Sequence, residues 1–427
     1  MLGKRCLVRS RRSDSVGNKE LLSQRLHESQ ENGKLNLQRC ILDYQDVILI
    51  KECLESIGIH TLDLSYCRWR DDVETSVSNL IDLLSTCFRK KEIARSLQVL
   101  NLNYLSYGNE VATACFESLL QAGDCKLRKL YLRQSGLARS GVETLVALLQ
   151  AAPSIQVLDL ANNRQMGPEG ARVLARGLQT IMGCNGATVL SLCHLDLSGC
   201  LGDDDGASVV KAVSQLTNLH TLILKKNCLG FQSRSALTLL LEDCQSLRTL
   251  KFGHYGNLAP SAQQSHRFAI SLASSRLETL DLSLYLAEPG SIRRILAVLP
   301  SMVSLKELTI FGRAMPLLAH VLPKFRSLHT LIVVGDDFEW TSSIRDAFYH
   351  NRSLHRRVTI TGHEEARDIL EMLVERNRAL HSWNTSSQAE RAILMALWPR
   401  ILAKFSTPSS ALSSTSRLEL LYRGVVE

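Results

Sequence analysis

The 427-residue sequence is poor in aromatic residues, which make up 5% of it, and it contains no run of 18 or more apolar residues. Because a membrane-spanning helix needs such a run, the sequence predicts no membrane segment. With few aromatic rings available, leucine must fill the interior of the fold. The net charge of +8 is mild for this length. It weakly favours acidic partners and does not by itself indicate nucleic acid.

Motifs for catalysis or cofactor binding are also missing from the sequence. It contains no Gly-rich phosphate loop ending in Gly-Lys-Ser/Thr and no Gly-x-Ser-x-Gly nucleophile elbow. The segment His363–Arg367 begins like a metalloprotease helix, but an arginine stands where the second zinc-binding histidine is required. The run Asp203–Asp205 lacks the alternating ligands of a calcium loop and predicts the start of a helix. We therefore predict no catalytic residue, no metal, no cofactor and no enzymatic activity.

The twelve cysteines are scattered and form no Cys-x-x-Cys pair. Cys40, Cys67 and Cys200 each stand three residues after a Leu-x-Leu, where Asn163 and Asn227 stand in other segments. This alternation predicts a buried thiol or amide at a tight turn, and not a disulfide framework. Free thiols are typical of a reducing compartment, so we predict an intracellular protein, cytoplasmic or nuclear.

The first residues are basic. Met1–Ser13 contains five lysines and arginines, and no acidic residue comes before Asp14. It lacks the apolar stretch of a secretory signal. Three alternatives stay open: an organelle transit peptide, a nuclear-import patch or an unstructured tail. We interpret residues 1–33 as a basic, unstructured tail.

A leucine phrase recurs from residue 34 to residue 362: leucine, two residues, leucine, one residue, leucine. Its central positions are mostly 27 to 30 residues apart, and they are Leu62, Leu100, Leu130, Leu158, Leu195, Leu222, Leu250, Leu280, Leu308, Leu331 and Val358. A clipped copy lies at Leu35-Leu37, which makes about 12 repeats. Such a period indicates a repeat architecture.

One unit shows why the units must stack. Leu222 and Leu224 alternate as in a strand with one buried face, and Ser235–Leu241 has the apolar spacing of a helix. Each buried leucine contributes roughly 1.5–3 kcal/mol. Ordering some thirty residues costs more, at about 1–2 kcal/mol for each backbone unit. The sequence therefore predicts a curved α/β solenoid, with parallel strands on the concave face and helices on the convex face.

The full pattern resembles the ribonuclease-inhibitor class of leucine-rich repeats. The best copies, Ile155–Leu178 and Leu192–Val213, continue the leucine phrase with Asn or Cys and then with Gly-Ala before the helix. The resemblance implies a leucine-rich-repeat horseshoe over residues 34–362. It implies no single function, because this fold serves inhibitors, GTPase activators and immune receptors.

Residues 363–427 are predicted to close the stack as a helical cap with a Ser-rich tail. His363–Leu380 has the spacing of an amphipathic helix, and a second helix over Glu390–Phe405 contains Pro399. Two segments, Asn377–Ala379 and Leu397–Ala403, are also similar to the tails of leucine-rich-repeat proteins from diatoms and related algae. Before this cap, Pro316 and Pro323 bracket an unusually short repeat.

The concave face is the predicted interaction surface, because side chains between paired leucines point outward. The candidate partner-binding residues form an aromatic cluster and a basic cluster, with one arginine: Tyr66, Tyr104, Tyr131, Arg133, Lys225, Lys226 and Lys251. Tyrosine and arginine are favoured anchors in protein interfaces. Asp159 and Asp196 also point outward and are expected to neutralise part of the lysine charge.

The leading hypothesis is a non-enzymatic, monomeric scaffold that binds a protein partner through this face. The alternatives are a GTPase-activating regulator of a small G protein, a substrate adaptor of a ubiquitin ligase and a receptor-type sensor. The sequence does not identify the partner.

Overall fold

The computed structural model describes residues 20–56, 58–69, 73–105, 108–183, 190–202, 204–254, 262–285 and 289–385. The chain folds as two compact units. The first comprises Met1–Leu250 and His254–Leu258, and the second comprises Lys251–Gly253 and Ala259–Glu427.

In the first unit, short strands and helices alternate along the chain. In order, these elements are α1 (residues 20–32), β1 (Lys34–Asn36), β2 (Ile41–Leu42), α2 (Tyr44–Ser56), β3 (Thr61–Asp63), β4 (Arg68–Trp69), α3 (Val73–Phe88), α4 (Lys91–Ser96), β5 (Val99–Asn101), α5 (Gly108–Ala122), β6 (Lys129–Tyr131), α6 (Arg139–Ala151), β7 (Val157–Asp159), α7 (Gly167–Gly183), β8 (His194–Asp196), α8 (Asp204–Val213), β9 (Thr221–Asn227), α9 (Phe231–Asp243) and β10 (Thr249–His254), of which β10 has residues in both units.

The leucine phrase forms a parallel sheet in which equivalent leucines are neighbours. The pairs in register are Leu35 with Leu62, Leu62 with Leu100, Leu100 with Leu130, Leu130 with Leu158, Leu158 with Leu195 and Leu195 with Leu222. These leucines are at most 1% exposed. We call the strand of each repeat, with the turn that follows it, a rung. Each rung therefore adds its leucines to one continuous row in the core.

Helices cover one side of this sheet and pack on their neighbours in chain order. In α6, the buried residues Val142, Leu145 and Leu148 recur at the three-residue spacing that gives a helix one apolar face. At Gly177 in α7, a Cβ atom would lie 2.3 Å from Cγ1 of Val146 in α6. The glycine therefore allows the close approach of these two helices.

In the first unit, the predicted turn residues three positions after a Leu-x-Leu are buried: Cys40, Cys67, Asn163, Cys200 and Asn227. Asn163 shows the role of this position most fully. Its Nδ2 donates to the carbonyl oxygens of Leu132 and Leu160, both at 2.7 Å. Its Oδ1 accepts from the backbone N–H groups of Ser135 at 3.1 Å and Leu137 at 3.0 Å. One amide thus satisfies four backbone groups that have left the sheet.

Cysteines fill the same position in other rungs and make fewer bonds. The Cys67 thiol donates to the carbonyl oxygen of Leu37 at 3.1 Å, and the Cys200 thiol donates to that of Leu160 at 2.9 Å. Burial raises the pKa of Cys200 to about 12, which keeps this thiol protonated and able to donate. These cysteines are free, as expected from their alternation with asparagine.

The structure corrects the interpretation of residues 1–33 as an unstructured tail, because residues 20–32 form the helix α1. Leu22 is 2% exposed, and the Ser29 hydroxyl lies 3.1 Å from Sγ of Cys53 in α2. Arg25 donates to the carbonyl oxygen of Gln38 at 2.6 Å. Helix α1 therefore contacts α2 and the turn that follows β1. Residues 1–19 lie outside the described residues.

In the second unit, the described elements are α10 (Ala262–Ser274), β11 (Thr279–Tyr285), α11 (Pro289–Val298), β12 (Glu307–Phe311), α12 (Met315–Ala319), β13 (Thr330–Val334), α13 (Ser342–His350), β14 (Arg357–Ile360) and α14 (Glu364–Thr385). The strands are again parallel and neighbour one another in chain order. The pairs in register are Leu280 with Leu308, Leu308 with Leu331 and Leu331 with Val358.

The shortest repeat lies where the two prolines predicted it. Helix α12 has only five residues, with Pro316 in its first turn, and Pro323 begins a further 3₁₀ turn. Proline is compatible with a first turn because its missing N–H is not needed there. The convex side of this repeat is therefore built from short turns instead of one full helix.

The helix predicted over His363–Leu380 is present as α14. Its Arg376 is 2% exposed and donates through Nη2 to the carbonyl oxygens of Tyr349 and Asn351, both at 3.0 Å. Burial lowers the pKa of Arg376 to about 10. The predicted second helix, Pro399 and the Ser-rich tail lie outside the described residues. Of the two segments with the algal resemblance, Asn377–Ala379 lies in α14, and Leu397–Ala403 is outside the described residues.

Both units thus have parallel leucine strands on one side and helices on the other, which confirms the predicted α/β leucine-rich-repeat solenoid. Twelve described strands carry the leucine pattern, in agreement with about 12 repeats. Among the described helices, none is long and apolar enough to cross a membrane.

Candidate interaction surface on the strand face

A row of residues in the left-handed conformation borders the strand face of the first unit. Each stands two positions after the last leucine of a rung, with φ between 49° and 67°, and the row is Arg39, Tyr66, Tyr104, Gln134, Asn162, Gly199 and Lys226. Backbone N–H groups of this row donate to the next rung, as from Tyr66 to Asn103 at 3.0 Å and from Tyr104 to Arg133 at 2.7 Å. We call these seven residues the left-handed row.

The row aligns two predicted tyrosines. The rings of Tyr66 and Tyr104 stack with their centroids 4.2 Å apart and their planes 12° from parallel. The Arg39 guanidinium lies 5.6 Å from the centroid of the Tyr66 ring. Burial, and then the hydrogen bond with Tyr66, raises the pKa of Tyr104. Tyr66 is 38% exposed, so this tyrosine stack offers a fixed aromatic surface to solvent.

Tyr131 lies apart from the tyrosine stack. It stands in β6, in register with Asn101 on one side and Asp159 on the other. Burial and the nearby Asp159 carboxylate raise its pKa. Among the described residues it makes no ring contact, so the structure brings together two of the three predicted tyrosines.

Arg133 is held by two aspartates of the following rungs. Its Nε donates to Oδ2 of Asp159 at 3.0 Å, and its Nη2 donates to Oδ2 of Asp196 at 2.6 Å. Burial opposes the charged form, but the two carboxylates raise the pKa of Arg133. The aspartates therefore neutralise Arg133, and not the lysines as expected. Much of the binding capacity of this arginine is already used inside the protein.

The predicted lysine cluster is divided between the two units. Lys225 and Lys226 lie in β9 of the first unit, and Lys251 belongs to the second. Lys225 is half-buried, whereas Lys226 is exposed at the end of the left-handed row. Of the three lysines, Lys226 is the one that shares the left-handed row with Tyr66 and Tyr104.

A pocket of about 710 Å³ opens beside the left-handed row. Its lining consists of Tyr104, Leu105, Gln134, Ser135, Gly136, Asn162, Arg164, Gln165 and Lys226. We call it the row pocket. Sequence reasoning missed Arg164, Gln134, Asn162 and Gln165, because it followed the residues between the leucines. The recurring position two residues after the last leucine would have identified Gln134 and Asn162.

Two segments resemble enzyme or metal sites in sequence, Asp203–Asp205 and His363–Arg367. Their described residues make structural contacts. Asp205 accepts a hydrogen bond from the N–H of Gly202 at 3.1 Å, at the start of α8. The His363 ring packs on that of Phe338, with centroids 4.4 Å apart. Within the described part of the chain, no group of three or more His, Cys, Asp or Glu side chains is arranged to hold a metal ion.

The chain is similar in sequence to several proteins, although no family model matches it. The mouse ribonuclease inhibitor is 28% identical over 240 residues, which cover 53% of this chain and 50% of the inhibitor. This similarity agrees with three features of the chain: the repeat length, the Asn or Cys at the turn, and the helices on one side of the sheet. The chain is a leucine-rich-repeat protein of the ribonuclease-inhibitor class.

Other relatives of this leucine-rich-repeat protein match shorter segments. The bovine Tonsoku-like protein is 36% identical over 141 residues, covering 32% of this chain and 10% of that protein. The chain thus spans half or less of the length of both relatives. Among solved structures, a Listeria monocytogenes internalin covers 82% of this chain, and the chain covers 89% of it, with 15% identity and a TM-score of 0.43.

Proposed function

We propose that this leucine-rich-repeat protein is a non-enzymatic scaffold that binds a partner protein through the strand face of its first unit. The observation that carries the proposal is the tyrosine stack. Two aromatic rings lie 4.2 Å apart on adjacent rungs, next to solvent and in backbone positions that the fold repeats.

Such a surface suits binding because its side chains are already ordered. A partner that contacts them does not have to immobilise flexible loops, so less of the contact energy is lost. Tyrosines are also frequent hot spots of protein interfaces. The name of the mouse relative, an inhibitor of ribonuclease, supports a protein as the partner.

The test is affinity capture of partners by the full chain, with crosslinking, from the cells that produce it. The variant Tyr66→Asn/Tyr104→Asn removes both rings. Asparagine tolerates the left-handed conformation, as Asn162 shows, so the backbone is preserved. We expect this variant to lose the crosslinked partner while its thermal unfolding stays nearly unchanged.

The matched control is Tyr44→Asn, which removes an exposed tyrosine on the helical side of the same unit. Tyr44 is 52% exposed at the start of α2. This variant should retain the partner. Retention by the double variant, or crosslinks that come only from the helices, would overturn the proposal.

A further inference from the structure

Among its described lining residues, the row pocket contains unused hydrogen-bond donors and no acidic side chain. Its three amides, Gln134, Asn162 and Gln165, make no side-chain hydrogen bond within the described residues. Arg164 and Lys226 likewise make no ion pair with any described residue. The lining thus offers two positive charges and three amides to a group from outside the chain.

Several other arginines of the first unit are compensated by nearby carboxylates. Arg133 contacts two aspartates, Arg95 contacts Asp124 at 2.8 Å, and Arg139 contacts Glu143 at 2.8 Å. Arg164 differs from them although it lies in a 3₁₀ turn beside the strand face. Arg164 and Lys226 are thus two uncompensated charges in the described lining of one pocket.

The left-handed row explains why these side chains meet at one pocket. Tyr104, Gln134 and Asn162 occupy the same position on three successive rungs, which are about 4.8 Å apart in a parallel sheet. The next rung has Gly199 there, so no side chain lies between Asn162 and Lys226. A Cβ at this glycine would lie 2.7 Å from Oδ1 of Asn162. The glycine therefore keeps the space open.

From these contacts, we propose that the row pocket binds a carboxylate of an acidic segment in the partner protein. Arg164 and Lys226 would pair with the carboxylate, and the amide N–H groups of Gln134 and Asn162 would donate to it. Tyr104 belongs to both the pocket and the tyrosine stack, so an apolar or aromatic residue of the same segment would lie on the stack. This inference rests on the proposed function and names the chemistry of the partner.

A peptide carboxylate fits this surface better than a nucleic acid does. A phosphate backbone is bound by many cations along its length. The strand face beside the pocket instead has the carboxylates of Asp63, Asp159 and Asp196, and a single arginine faces two of them. A long polyanion would meet these aspartates, whereas a short acidic segment held at the edge would not.

The test uses a short fluorescein-labelled peptide of three glutamates and one phenylalanine, and measures its binding to the full chain by fluorescence anisotropy. We expect Lys226→Gln and Arg164→Gln each to weaken binding about tenfold, which corresponds to about 1.4 kcal/mol for one charge-assisted contact. The matched control is Arg172→Gln, which removes the same charge from an exposed position on α7 and should change binding less than twofold. Equal affinities of all four proteins would overturn the inference.

Two further measurements identify the kind of anion. A single-stranded oligonucleotide of equal charge should compete weakly for the wild-type chain, and inorganic phosphate should not compete at millimolar concentration. If the oligonucleotide competed more strongly than this, and if Lys226→Gln abolished that competition, the pocket would be a nucleic-acid site. That result would refute the inference.

The two proposals can fail separately. If the pocket variants keep the partner that the tyrosine variant loses, the acidic-segment inference is wrong and the strand-face scaffold stands. If the tyrosine variant keeps the partner, the scaffold proposal is wrong as well. Loss of the partner by both kinds of variant, with retention by both controls, supports the two proposals together.

Discussion

Replacing Asn163 with alanine tests whether turn amides hold the rungs of the first unit together. The native side chain is fully buried and satisfies four backbone groups, two carbonyls and two N–H groups. Alanine would leave the N–H groups of Ser135 and Leu137 without a partner. The two carbonyls would lose one donor each and keep the Ser135 hydroxyl and the Cys200 thiol. Because an unpaired buried polar group costs about 1–3 kcal/mol, we expect the two unpaired N–H groups in Asn163→Ala to lower the free energy of unfolding by at least about 2 kcal/mol.

Asn163→Cys tests how much of the loss of stability comes from the hydrogen bonds and how much from the volume of the side chain. At the equivalent positions, the thiols of Cys67 and Cys200 each donate to a backbone carbonyl. A cysteine at 163 should restore one of the four bonds, so its loss should be smaller than that of alanine by about 1 kcal/mol or more. The control Arg172→Ala removes only an exposed ion pair with Glu169, worth at most about 1 kcal/mol.

Urea unfolding followed by far-ultraviolet circular dichroism ranks the three variants, and hydrogen exchange localises the effect. The N–H groups of Ser135 and Leu137 donate to Asn163 and should exchange faster in Asn163→Ala. Two results would refute the reasoning. One is an alanine variant within about 1 kcal/mol of the native chain, the loss expected for a single hydrogen bond. The other is unchanged exchange at these two N–H groups.

Three further predictions concern other contacts. Arg133→Met should lower the free energy of unfolding by about 1–3 kcal/mol, since it leaves two buried carboxylates without a counter-charge, and an unchanged urea midpoint would contradict this. Gly177→Ala should cost about 1–3 kcal/mol by overpacking against Val146, and Val146→Ala in the same chain should recover part of that loss. Burial, with nearby cationic groups, lowers the pKa of His329 to about 4 from its ordinary 6.5, so unfolding takes up a proton between these values. The second unit should therefore lose stability as the pH falls from about 6.5 to 4, and His329→Gln should flatten that dependence of the urea midpoint.

The leucine spacing was sufficient to predict the rungs because burial of a periodic apolar residue determines which face of a short strand points inward. Leu62, Leu100 and Leu130 pair in register as that spacing requires. The turn position was equally predictable, since Asn163 and Cys200 alternate at one place in the repeat. Helix α1 was missed because its apolar residues are few and its packing depends on contacts such as that of Ser29 with Cys53.

The candidate surface was only partly predictable, because it depends on backbone conformation and on partners distant in the chain. Tyr66 and Tyr104 were recognised as neighbours, but their left-handed φ angles come from the turn and not from a residue preference. The ion pair of Arg133 with Asp196 joins residues 63 positions apart. No local pattern indicates that this arginine is compensated while Arg164 is not.

Two adjacent positions in each turn have different roles, one on the surface and one in the core. Asn162 lies in the left-handed row and faces the row pocket, while Asn163 is fully buried and holds the backbone. In the row, the main chain makes the contacts to the next rung, so the identity of the side chain matters little for folding. Recognition could thus be altered one rung at a time, or transferred between rungs, by changing residues that the core does not use. The proposed binding surface could therefore be changed by single substitutions in the left-handed row, provided that each new residue tolerates a positive φ.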